Sequence, residues 1–262
     1  MPGPLVVIPT YNERENLPAI VARVRAAVPE ASVLVVDDHS PDGTGELADG
    51  LAHVDPSVHV LHRRGKEGLG AAYLSAFEWA LERGHDPVVQ LDADGSHLPE
   101  ELPRLLAALE TPDAAGRRPD LVIGSRWVPG GSVVNWPRHR MWLSRVGSAY
   151  SRIMLDLPVR DATGGYRVFR AEGLRRLHRE DVHTRGYGFQ VDMLWHAVMH
   201  GLSVVEVPIT FVERELGRSK MSWGIVIEAI WQVTAWGFTR RFGRRRDQAA
   251  AATSEARRRS RA

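Results

Sequence analysis

The 262-residue chain contains no cysteine, which excludes disulfide staples and thiolate metal sites. It also lacks any run near the ~18–20 apolar residues that a membrane-spanning helix needs. The start, Met1-Pro2-Gly3-Pro4 followed by the short apolar run Leu5 to Ile8, has neither the basic region nor the long apolar region of a secretory signal. A cytoplasmic setting is expected from these absences. A large net charge is missing as well, the total being +2. That total hides an asymmetry. From Arg240 to Ala262 nine Arg face only Asp247 and Glu255, a net +7 that leaves −5 for the rest. A basic tail on a mildly acidic body suits anionic headgroups or solubility. Without aromatic–basic interleaving in the body, nucleic acid is not an expected partner.

What remains is an ordinary globular composition, 44% hydrophobic and 25% charged, with enough chain for one sizeable core. Short apolar runs at Leu5–Ile8, Ser32–Val36, Val58–Leu61, Val88–Leu91 and Leu121–Ile123 predict buried strands. Between them, Glu13–Val28, Thr44–Val54, Gly70–Arg83 and Pro99–Leu109 carry helical spacing. This alternation predicts an α/β fold with a mostly parallel central sheet flanked by helices, and ligands at the carboxyl edge of the strands. Further on, Trp127–Trp136 is expected to be a loop. Met141–Leu155, Tyr187–Met199 and Met221–Phe238 are expected helices, and Tyr166–Phe169 and Leu202–Val207 strands. Residues 1–238 are expected to form one catalytic domain, and residues 239–262 a tail without a core pattern.

Three strand ends carry chemistry. Asp92-Ala93-Asp94 follows the run ending at Leu91. Two carboxylates at i and i+2 suit Mg²⁺ or Mn²⁺, although a solvated acidic turn has the same composition. Val35-Val36-Asp37-Asp38 is followed by His39-Ser40-Pro41-Asp42-Gly43-Thr44. Asp38 is the candidate acceptor for ribose or base hydrogens, while Asp42 to Thr44 form a turn and helix cap. Ile8-Pro9-Thr10-Tyr11-Asn12-Glu13 ends its strand at a proline, and Tyr11 is a candidate base contact.

Pro9-Thr10-Tyr11-Asn12-Glu13, Asp37-Asp38, and Asp92-Ala93-Asp94 in this order resemble family 2 glycosyltransferases of the GT-A fold. More specific segments follow: Gly124-Ser125-Arg126, Asp161 to Arg167, Gly186 to Gln190, Val207 to Arg214, and Gly217 to Lys220. Together these resemble dolichol-phosphate and polyprenol-phosphate mannose synthases, over roughly Leu5 to Phe238. The resemblance implies GDP-mannose as donor, a polyprenyl monophosphate as acceptor, and Mg²⁺ or Mn²⁺ as cofactor. It implies a nucleotide pocket of Pro9, Tyr11, Glu13, Val36 and Asp38, with Ala93 passing close by. Asp92 and Asp94 would hold the metal, and Arg126, Arg214 and Lys220 would contact phosphates. Arg140 and Arg145 are further cationic candidates. His39 departs from the family's smaller residue, and Ser96 from a metal-holding Gln, so Ser96 is not counted as a ligand.

The implied acceptor is a phosphate monoester, largely dianionic at neutral pH because its second pKa is about 6. It is already a nucleophile, so the protein's task is to hold two anions together with cations and metal while GDP departs. A single displacement inverts the anomeric centre. The lipid acceptor also requires a membrane surface. Met221–Phe238, with interfacial Trp and an adjacent Arg cluster, fits either a membrane-surface helix or a core helix. A second lipid-facing surface is expected from Val133 to Trp142 and the helix after it. A membrane-anchoring partner protein is the other route to the bilayer. The expected location is the cytoplasmic face of the membrane, held peripherally. The rival expectations are a UDP-glucose donor and a catalytically silent nucleotide-binding subunit.

Overall fold

The computed structural model describes residues 3–177, 188–213 and 230–238. Five strands appear where short apolar runs predict them: β1 (Leu5–Thr10), β2 (Ser32–Asp37), β3 (Val58–His62), β4 (Val88–Gln90) and β5 (Leu121–Ser125). Helices α1 (Leu17–Ala27), α2 (Thr44–Val54), α3 (Leu69–Glu82) and α4 (Leu102–Glu110) cross between them. In α1 the residues Leu17, Ile20, Val21 and Val24 face inward, at the three-and-four spacing of one helical face. Pro18 in its first turn, where an N–H would be unpaired anyway, fixes the start later than the apolar spacing alone indicates.

The second half is less regular. It contains β6 (Ser132–Val134), α5 (Arg138–Leu155), β7 (Arg167–Phe169), α6 (Ala171–Arg176), α7 (Phe189–Met199), β8 (Val204–Pro208) and β9 (Thr210–Val212). Residues 230–238, the last of the described residues, are helical (α8).

Seven strands make one sheet in the order β3-β2-β1-β4-β7-β5-β8. Only β7 runs antiparallel, pairing with β4 on one side and β5 on the other. Alternate side chains of each strand enter opposite cores. Leu5 and Val7 join Tyr73, Phe77 and Phe189 on the face covered by α3 and α7. Val6 and Ile8 join Leu17, Val24 and Leu105 on the face covered by α1 and α4. The chain leaves β1 toward β2 and β3 on one side and resumes at β4 on the other. The resulting topological switch point between β1 and β4 opens a crevice at the carboxyl ends of the strands.

The expected loop at Trp127–Trp136 needs correction. Its middle residues, Ser132–Val134, pair in parallel with Thr210–Val212 as a separate two-stranded sheet. Such a strand is three residues long, largely exposed and paired to distant sequence, so no local periodicity announces it. Gly131 allows the turn into it, because a Cβ there would lie 2.6 Å from the Ser125 carbonyl oxygen.

Candidate active site

The loops after β1 and β2 are laced together. Asn12 N donates to Ser40 Oγ at 3.1 Å, and Glu13 N to Thr44 Oγ1 at 3.1 Å. Asp42 Oδ1 accepts from the Thr44 backbone N at 3.0 Å, so Asp42 and Thr44 serve the turn. Asn12 and His39 both adopt left-handed backbone, each at φ 58°. Left-handed backbone is uncommon outside glycine, and Asn and His are among the side chains that adopt it most readily. Asp37 is consumed locally, accepting from Thr10 Oγ1, Ser40 Oγ and Ser40 N. Asp38 instead meets Arg63, whose Nη1 donates to Asp38 Oδ1 at 2.5 Å. Burial raises the Asp38 pKa, and Arg63 offsets part of that rise. Tyr11 lies nearby with Lys66 Nζ 4.0 Å above its ring. The Val36 side chain is fully buried in the core. Pro9 stays inside the ladder opposite it, so these two border the crevice through backbone.

Asp92, Ala93 and Asp94 leave β4 on the other side of the switch point. Ala93 packs into the core face of α1 and α4. Tyr73 Oη donates to Asp92 Oδ1 at 3.5 Å, and the Asp92 backbone N donates to His97 Nδ1 at 3.3 Å. Burial drives the Tyr73 pKa well above its ordinary value, and Asp92 and then Asp94 push it further. Both negative charges therefore converge near the phenol. The loop Asp161–Gly165 closes on the same place, since a Cβ on Gly165 would lie 3.7 Å from Asp92 Oδ2. Arg167 holds that loop from beneath, donating to the carbonyls of Gly164 and Ala162. Burial pulls the Arg167 pKa down to about 9, with Asp161 opposing, so it remains a cation at neutral pH.

Asp92 and Asp94 are hard oxygen donors, and among the described residues no group of three His, Cys, Asp or Glu side chains forms a fuller cage. This donor set fits Mg²⁺ or Mn²⁺, which keeps positions for water and diphosphate oxygens. A cavity of about 380 Å³ borders Ala93 and Asp94 but runs along α1 toward Arg23. Tyr11, Asp38 and Asp92 do not line it.

The third wall is cationic and aromatic. Arg126 is buried against Asp161, with Nε and Nη2 each 2.7 Å from a carboxylate oxygen. Burial raises the Asp161 pKa, but Arg126 and Arg167 outweigh it and hold the carboxyl below its ordinary value. Trp127, Trp136 and Phe211 surround the Arg126 guanidinium at 5.3–5.4 Å. Arg140 pairs with Glu213, and Arg145 sits 5.0 Å from the Trp127 ring. Among the described residues, no hydrogen-bond partner reaches the buried indole N–H groups of Trp127 and Trp136. Arg214, Lys220, Gly186 and Tyr187 lie outside the described residues, as does the 239–262 tail.

Some contributors escaped sequence reasoning. Arg63, Tyr73 and Asp161 act through partners 25, 19 and 35 residues away. For Tyr73 no signal separates it from core packing. For Asp161 the signal was its place in the Asp161–Arg167 segment.

The family model described as glycosyl transferase family 2 matches residues 5–177. The chain is a family 2 glycosyltransferase. It is 58% identical over 238 residues to the undecaprenyl-phosphate mannosyltransferase of Micrococcus luteus, covering 91% of this chain and 95% of that one. It is 56% identical over 243 residues to the polyprenol monophosphomannose synthase of Mycolicibacterium smegmatis, covering 92% and 89% respectively. Among solved structures, a mannosyltransferase from Pyrobaculum calidifontis in complex with GDP-Man and Mn²⁺ matches with a TM-score of 0.57 at 21% identity, over 91% of this chain and 64% of that one. Glucosyl-3-phosphoglycerate synthase from Mycobacterium tuberculosis matches with a TM-score of 0.60 at 20% identity, over 90% and 79%. These structural likenesses carry the GT-A fold of this glycosyltransferase.

Proposed function

We propose that this glycosyltransferase moves mannose from GDP-mannose to the phosphate of a polyprenyl monophosphate, inverting the anomeric carbon. The observation that carries the proposal is near-full-length identity of 56–58% to enzymes named for that lipid acceptor or for its mannosylated product. The geometry supports it: Asp38, Tyr11 and the Asp92–Asp94 pair stand at the ends of adjacent strands β2, β1 and β4, in the order base, sugar and diphosphate require. Asp92 and Asp94 would hold Mg²⁺ or Mn²⁺, which supplies positive charge to the departing diphosphate.

The chain's own groups have distinct tasks. The acceptor dianion needs no strong base, so the protein must offset repulsion between two anionic substrates. Arg126, at the end of β5, and Arg140 and Arg145, on α5, supply that positive charge. Arg126 spends Nε and both Nη2 hydrogens on Asp161 and Thr163, so among the described residues Nη1 is the group left to donate to a phosphate oxygen. Arg214 and Lys220 are proposed to join them. Trp127 and Trp136 shield this wall from water, which strengthens its charges and protects the donor from hydrolysis.

The lipid acceptor calls for a bilayer surface, and α5 supplies a face for one. The helix has four Arg and no acidic residue. Trp142, Val146 and Ile153 are exposed along one stripe, and Arg138, Arg145 and Arg152, spaced by seven, line its edge. Next to it, α8 buries Val233 while exposing Ile230 and Trp231. Tyr150 Oη and Thr234 Oγ1 join the two helices at 2.6 Å. Apolar and Trp side chains bordered by Arg fit an anionic lipid surface, here on the cytoplasmic side where the nucleotide sugar is dissolved.

Nuclear magnetic resonance of the lipid product tests the reaction. A β-linked mannosyl phosphodiester is expected. An α-linked product would overturn inversion, and a glucosyl product from UDP-glucose alone would replace the donor.

A further inference from the structure

Helix α5 meets the body of the protein largely through hydroxyls. Its buried residues are Ser148, Ser151 and Leu155, one face at helical spacing, and only Leu155 is apolar. Apolar contact is non-directional, whereas hydrogen bonds fix a position. Ser148, 1% exposed, reaches the loop that holds Arg126. Its Oγ lies 3.1 Å from Thr163 Oγ1 and donates to Asp161 Oδ1 at 3.5 Å. Thr163 Oγ1 in turn accepts from Arg126 Nη2 at 3.0 Å, and the same Nη2 donates to Asp161 Oδ1 at 2.7 Å. These four side chains close a ring. With Thr163 donating to Ser148 and Ser148 to Asp161, every hydrogen in it has an acceptor. The end of β5, the middle of α5 and the loop before β7 meet there. The Asp161 backbone N donates to Glu206 Oε1 at 2.9 Å, so β8 anchors the ring from a fourth side.

We propose that Ser148 and Thr163 are positioning residues for the transfer: they lock the Arg126 guanidinium to α5, so that Arg126 Nη1 and the α5 cations Arg140 and Arg145 meet the acceptor phosphate as one unit. Opening the ring leaves Asp161 still paired to Arg126 through Nε and Nη2. Nη2 then lacks one acceptor, and α5 loses its polar tie to the loop. The guanidinium gains freedom, and its spacing from Arg140 and Arg145 is no longer set. A misplacement of about 1 Å at such a contact is enough to slow a reaction severely. The ring also holds Arg126 at a constant distance from Trp142, Val146 and Ile153, which are exposed on the same helix. A phosphate contact tied in this way sits at one depth relative to the proposed lipid-facing surface. The proposal rests on the assignment above of Arg126 to the acceptor phosphate.

Thr163→Val keeps the branched shape and removes the hydroxyl, and Thr163→Ser restores it. With GDP-mannose and a short water-soluble polyprenyl phosphate, Thr163→Val and Ser148→Ala should each raise the acceptor KM about tenfold, with the GDP-mannose dissociation constant changed by less than about twofold. Thr163→Ser should recover most of the loss. Thr163→Val and Ser148→Ala together should cost no more than either alone, because one break opens the ring. A second readout needs no reaction. Hydrogen exchange at the Arg126 Nε–H, followed by nuclear magnetic resonance in the arginine-labelled full chain, should be about tenfold faster in Thr163→Val. Unchanged exchange in a folded Thr163→Val protein, or additive losses in the double variant, would overturn the ring. Equal losses of donor and acceptor affinity would reduce it to a structural role and overturn the proposal. Arg126→Ala separates the proposal from the assignment it rests on. If that variant raises the acceptor KM while Thr163→Val does not, the positioning role fails and the phosphate contact stands. If Arg126→Ala leaves the acceptor KM unchanged, the phosphate assignment fails and the positioning role with it.

Discussion

Asp161 illustrates how much of the site depends on one buried carboxylate. It is fully buried, receives three hydrogen bonds from Arg126, and has Arg167 close by. Asp161→Asn leaves the Arg126 guanidinium underground with a neutral partner. Breaking a buried pair this way costs about 3–5 kcal/mol, which urea unfolding at neutral pH will register. The pH dependence has a definite sign. A folded-state pKa below the ordinary ~3.9 of Asp contributes stability that is complete above that value and is lost as pH falls through the lowered one. The difference between unmodified and Asp161→Asn protein should therefore shrink in acid below that value. Tyr73 makes a second case. Tyr73→Phe keeps the ring stacked 5.9 Å from Phe189 but removes the donor to Asp92. The expected result is a fall in kcat of a few-fold with little change in melting temperature, since at 3.5 Å the bond is long and amounts to about 0.5–1 kcal/mol. The strand-end carboxylates were legible from sequence because apolar runs stop at them. Arg63 and Tyr73 were not, because their roles arise from contacts between separate elements.

At the element scale, the parallel half of the sheet was readable because each strand is a short, fully buried apolar run between helical repeats. The β6–β9 pair was not. Ser132-Val133-Val134 is half exposed, flanked by glycine, and stabilised by residues near the far end of the described chain. This pair nevertheless places Trp136 and Phe211 against each other, 5.1 Å apart, and so builds the wall around Arg126. Gly131→Ala would drive a methyl group into the Ser125 carbonyl and the Arg126 backbone. Overpacking of this kind costs about 1–3 kcal/mol, so a lowered melting temperature and weakened transfer are expected together. A melting temperature matching the unmodified protein would show that the turn relaxes without strain. Helix α5 was expected from Met141, but it begins at Arg138, which brings Arg138 into line with Arg145 and Arg152.

At the scale of the whole molecule, the carboxyl end of the sheet is the proposed nucleotide-sugar site, while α5 presents apolar side chains and arginines outward and α8 exposes Ile230 and Trp231. No helix among the described residues is long and apolar enough to cross a membrane. The proposed lipid-facing surface on α5 is tested by replacing Trp142, Val146 and Ile153 together by Ser. Co-sedimentation with anionic vesicles should fall several-fold, and transfer to a vesicle-borne long-chain acceptor should fall with it. Transfer to a short water-soluble acceptor should be unchanged, and an equal loss with both acceptors would point to damaged folding instead. The most direct test of the central claim is the transfer reaction with labelled GDP-mannose or UDP-glucose, a polyprenyl phosphate and Mg²⁺ or Mn²⁺, read as label entering the organic phase. Label should pass from GDP-mannose only, and Asp92→Ala should reduce it at least a hundredfold. Absence of label from GDP-mannose with either metal, or undiminished transfer by Asp92→Ala, would contradict it.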